Sequence, residues 1–203
     1  MLGRFFVLLA SILFGSLAIE TSLYHSAIAI GRDPVAMVPT ITAAAAMAGG
    51  FLLLGAASRA TVTLFATLSI VGILVGVVGT AIHLAIHAPN ITALASQPRA
   101  WLGNPPALVP LSFSAGGCLG LLPLACGPLR PERSASSAGA ILQVVAALAS
   151  LLAAIAATDT AFGFLALMLV LAAMALGGLG YAVELADALV PMLLSARRPR
   201  FNP

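Results

Sequence analysis

Residues 61–88 read TVTLFATLSIVGILVGVVGTAIHLAIHA, and this stretch decides the fold. No Asp, Glu, Lys or Arg interrupts it. A helix needs only ~20 consecutive apolar residues to cross a bilayer. The stretch shows no strand-like alternation. Lipid admits only helices or closed barrels, because every backbone N–H and C=O must be satisfied inside the protein. Residues 61–88 therefore predict a transmembrane helix.

Similar runs lie on both sides of it. Upstream are residues 5–30 and 35–57, separated by Gly31-Arg32-Asp33-Pro34; Ser58-Arg59 closes the second. Gly and Pro at such places punctuate helices. Downstream come 107–127, 138–157 and 161–190. The last of these turns more polar after Gly180. The connections are a Pro-rich loop at 89–106 carrying Arg99 and Trp101, the polar PLRPERSASS at 128–137, and Thr158-Asp159-Thr160. Asp159 is placed to cap the sixth helix. The basic start and Ser16-Leu17-Ala18 resemble a secretion signal. The apolar run continues to Ile30, however, long enough to span, and the segment is expected to be retained. The reading is all-α: one integral membrane domain, a polytopic bundle of about six spans.

Composition excludes the alternatives. Of 203 residues, 61% are hydrophobic and 7% charged, against about 25% charged in soluble domains. A water-soluble fold could not cover its surface. The net charge of +3 comes from nine arginines against six acids, with no lysine and no basic patch interleaved with aromatics. That excludes a nucleic-acid footprint. Richness in Ala, Gly, Pro and Arg without Lys points to a high-GC bacterial source and its inner membrane.

Six spans put both termini on one side. Arg4, Arg59, Arg130, Arg133, Arg197, Arg198 and Arg200 collect there, leaving Arg32 and Arg99 opposite. Basic residues accumulate on the cytoplasmic side, so both termini are expected to be cytoplasmic.

The chemistry-bearing residues are few. With ~1.5 Å of rise per residue, Glu20 falls near the midplane, and His25 and His83 lie at similar depths in the outer half. His87 lies at the outer surface. At ~100° per residue, Gly72, Gly76, Gly79, His83 and His87 share one face of the third span. Small residues four apart let helix backbones approach closely, so this face should meet another helix and carry both histidines inward.

Two readings follow for the histidines. In one, His83 and His87, with Glu20 as a further ligand, hold a transition metal, or His25 and His83 ligate a haem or other tetrapyrrole between two helices. In the other, His25 and His87 are interfacial and His83 hydrogen-bonds a carbonyl or Glu20. A midplane carboxylate is expensive, which makes Glu20 a functional candidate by default. Glu184 and Asp187, one turn apart, could hold a cation. Their place at the helix exit, within reach of the arginines, favours charge pairing. Cys118 and Cys126 are about 12 Å apart along a helix, too far for a disulfide.

No P-loop, dinucleotide glycine pattern, nucleophile elbow or H-E-x-x-H occurs, and no internal repeat suggests an inverted-repeat transporter. Short loops leave no room for a soluble catalytic domain. The chain is expected to be a subunit of a larger membrane assembly, packed against other integral membrane subunits and lipid. A redox or photosynthetic complex is favoured, with a haem, metal or quinone site in the outer leaflet. A structural subunit without cofactor and a small independent transporter are the alternatives.

Overall fold

A computed structural model describes residues 2–29, 34–87, 110–125, 137–156 and 163–196. Among them there is no strand. The helices are α1 (Leu2–Ala29), α2 (Val38–Gly55) preceded by a 3-10 turn (Pro34–Met37), α3 (Arg59–His87), α4 (Leu111–Ala125), α5 (Ser137–Ala156) and α6 (Gly163–Ala196). Among the described residues, five apolar segments are long enough to cross a membrane: Leu2–Leu23, Val35–Gly55, Arg59–Ala85, Ala138–Ala156 and Leu167–Val190. The shorter Leu111–Leu124 is also apolar. The chain is a multi-pass transmembrane helix bundle. The fourth helix, expected over 107–127, is described from Leu111 to Ala125 and carries Pro123 in its last turn.

Local chemistry sets the helix ends. Pro39 stands in the first turn of α2, where a missing N–H costs nothing. Ser58 and Thr61 cap α3 reciprocally. Thr61 N donates to Ser58 Oγ at 3.1 Å, and Ser58 N donates to Thr61 Oγ1 at 2.9 Å. This is a capping box with Thr in place of the usual Glu. It lets α2 turn straight into α3.

The helices run antiparallel in sequence and assemble around the α1–α2 pair. α1 packs on α2, α4 and α6; α2 packs on α1, α3 and α5; the hairpins α3–α4 and α5–α6 close the two sides. The result is two four-helix arrays sharing α1 and α2. The array with α3 and α4 has an aromatic interior in which Phe14, Phe65 and Phe113 are buried. The array with α5 and α6 buries Met47 and Phe51, and it also buries Gln143 and Glu184.

Glycines set the close approaches. A Cβ on Gly76 would fall 2.6 Å from Ser114 N and 2.8 Å from Pro110 O. Gly72 and Gly79 meet Phe14 and Pro110 in the same way. The α3 glycine face thus meets α4, with Phe14 of α1 reaching across. Ser114 Oγ donates to Ile73 O at 3.0 Å across this contact. The outward faces carry Leu74, Val77, Val78 and Ile82 on α3 and Leu148, Leu151, Leu152 and Ile155 on α5. Bulky apolar cover of this kind suits lipid.

Candidate functional site

Two places in the bundle concentrate polar chemistry, one at each end. The first is the end of α1 and α3 that carries the histidines. Phe14 Cζ lies 2.9 Å from where a Cβ on Gly72 would stand. This contact sets position 14 of α1 level with position 72 of α3. The two helices run parallel at the same ~1.5 Å per residue, so His25 comes level with His83 to within about one turn. Glu20, by the same register, lies nearer the middle, level with Val78.

His83 is half-buried, one turn beyond Gly79, and has an interaction of its own within the chain. Glu20 is half-buried. Next to it, Thr21 is buried, donates to Leu17 O at 2.7 Å and accepts from Thr40 Oγ1 at 2.9 Å. The backbones of His25 and His87 belong to α1 and α3; their side chains lie outside the described residues. Among the described residues, no three His, Cys, Asp or Glu side chains gather as a metal-binding group. Arg32, Arg99, Trp101, Cys126 and Asp159 lie outside the described residues, as do the arginines of the 128–137 loop and the tail. Cys118 is exposed on α4 and free.

The second place is at the opposite end. Arg4, one turn into α1, forms an ion pair with Glu184 of α6 and donates to Leu54 O of α2 at 2.7 Å. The two side chains are 13% and 8% exposed, so the pair is largely removed from water. The local cause is a pair of helix positions that mirror each other. α5 carries Gly139 with Gln143 four residues on; α6 carries Gly180 with Glu184 four residues on. The helices run antiparallel, so each polar side chain lies over the other helix's glycine. A Cβ on Gly139 would stand 2.6 Å from Glu184 Cγ, and one on Gly180 would stand 3.2 Å from Gln143 Nε2. Only glycines leave room for both.

Gln143 is fully buried, and its Nε2 donates to Gly177 O at 2.9 Å. Gln143 Oε1 and Glu184 Oε1 have no hydrogen-bond partner among the described residues. Asp187, paired with Glu184 in the sequence reading, is exposed and takes no part in the described ion pair. Charge pairing is therefore the role the structure gives Glu184. Sequence reasoning treated Arg4 only as a topology marker and passed over Gln143. The signal that could have found Gln143 is the repeated Gly-x-x-x-polar spacing on the last two helices; no local pattern marks the partner of Arg4.

The α6 surface interleaves exposed small residues with large apolar ones. Ala172, Ala175, Ala182 and Ala186 are exposed there. A Cβ on Gly178 would meet nothing within 4 Å. Gly178, Ala182 and Ala186 are spaced four apart, on a face that also exposes Leu171, Leu179 and Leu189.

No protein family, curated protein or solved structure matches this chain.

Proposed function

We propose that this chain is an integral membrane subunit of a larger membrane complex in a bacterial inner membrane, with both termini cytoplasmic. The observation that carries the reading is the outward α6 face. Apolar helices gain nothing from hydrophobicity by leaving lipid for one another; they associate where small residues let backbones touch. Gly178, Ala182 and Ala186 offer such a surface outside the bundle. The charge asymmetry of the loops supports the orientation.

Within that complex, the histidine end serves electron transfer, with His25 and His83 at matched height and His87 and Glu20 nearby as candidate ligands. A haem, a transition metal or a quinone is the cofactor class that suits imidazoles from two helices. The register between Phe14 and Gly72 supports this finer reading.

Isolation in mild detergent tests both levels. Co-purifying membrane subunits with a Soret or other visible band, or a stoichiometric metal, are the expected result. A colourless complex with partners would retain the subunit reading and remove the redox one. A colourless chain purifying alone would overturn both and favour an independent transporter.

A further inference from the structure

The Arg4–Glu184 pair leaves a question of hydrogen bonding that the described side chains do not answer. Glu184 Oε2 is taken by Arg4, but Glu184 Oε1 is buried without a donor. Gln143 Oε1 is buried without a donor as well. The Gln143 amide cannot relieve this by turning over, because its Nε2 already donates to Gly177 O. Turning it would set two oxygens against each other. Both side chains lie over the same Gly139–Gly180 crossing, where a Cβ on either glycine would stand 3.0 Å from the other's carbonyl oxygen. Side chains of a helix lean toward its N-terminus. Gln143 therefore leans toward Gly139 and Glu184 toward Gly180, so on antiparallel helices each reaches toward the same crossing from its own side.

Two buried acceptors without a donor among the described residues call for a molecule that donates to both. A cation is disfavoured, since Arg4 already neutralises Glu184 and would repel a second positive charge. Protonating Glu184 would supply a single hydrogen but leave the Arg4 charge unmatched in a poorly solvated place. A neutral molecule with two donors satisfies both oxygens and leaves the ion pair intact. We propose that Glu184 Oε1 and Gln143 Oε1 form a binding site for one small neutral hydrogen-bond donor, a water molecule, held between α5 and α6 as the third member of the Arg4 clamp. The site links the buried carboxylate to the middle of the α5–α6 interface.

The test is an infrared difference spectrum of the full chain, purified with any partners, in ordinary water and in water labelled with oxygen-18. Wild type should show an O–H stretch that shifts with the label and belongs to an internal water. Gln143→Leu removes one acceptor and should lose that band. The double variant Arg4→Met/Glu184→Met removes the other acceptor together with its counter-charge and should lose it too. If Gln143→Leu does not fold, the double variant carries the comparison. The site is overturned if wild type has no label-sensitive band, or if the same band persists in the folded variants.

Discussion

Arg4 and Glu184 stand 180 positions apart in the chain and form one ion pair across the C-terminal end of α2, whose Leu54 carbonyl accepts from the same guanidinium nitrogen. Three helices are tied at one point. Removing one partner of a buried pair costs about 3–5 kcal/mol, because the other charge is left uncompensated, while replacing both by apolar groups is often neutral. Arg4→Met and Glu184→Met should each lower the thermal midpoint in detergent, and the double variant should recover most of the loss. A double variant as unstable as the sum of the singles would show that the two residues act independently.

Gly76 tests the α3–α4 contact. A side chain there would run into Ser114 N and Pro110 O, which are backbone atoms and cannot rotate aside. Overpacking of this kind costs about 1–3 kcal/mol or more. Gly76→Leu should lower thermal stability and disturb assembly. Unchanged stability would contradict the packing.

Gly178 provides the matching contrast. Nothing lies within 4 Å of a Cβ built on it. Gly178→Leu should leave the isolated bundle within about 0.5 kcal/mol of wild type, as surface substitutions usually do. It should also weaken co-purification with partner subunits, read as subunit ratio on a sizing column. Unaltered ratios would show that this face meets only lipid.

The orientation is tested by labelling. In a background where Cys118 and Cys126 are replaced, a cysteine at Asn104 should react with an impermeant reagent from outside the cell. A cysteine at Ser136 should react only after the membrane is opened. Labelling of both from outside would overturn the six-span topology with cytoplasmic termini.

The histidine end is tested by content rather than stability. Metal and pigment per chain should fall in His83→Ala and His25→Ala, each purified with its partners, while the bundle stays folded by circular dichroism. Equal content in wild type and both variants would remove the ligand reading. Tolerance of His83→Gln alongside it would point to a structural hydrogen bond.

The six helices, and the break at Ser58 between the second and third, were legible in the sequence, because hydrophobic length and helix punctuation are local properties of a chain in lipid. The inward face of α3 was legible for the same reason: Gly72, Gly76 and Gly79 recur at helical spacing, and close backbone approach is what such spacing permits. That Gly76 meets Ser114, and that α1 sits between α4 and α6, only the tertiary structure decided. In a soluble protein, hydropathy separates inside from outside. In a bilayer both sides of a helix are equally apolar, so the pattern cannot say which face meets lipid and which meets a neighbour. The same limit hid the clamp. Arg4 could have met any acid at its end of the bundle, and its pairing with Glu184 depends on α6 packing against α1 and on Gly139 leaving the carboxylate room. Long-range charge pairing is set by helix order, and helix order by the fit of small and large side chains across every interface at once.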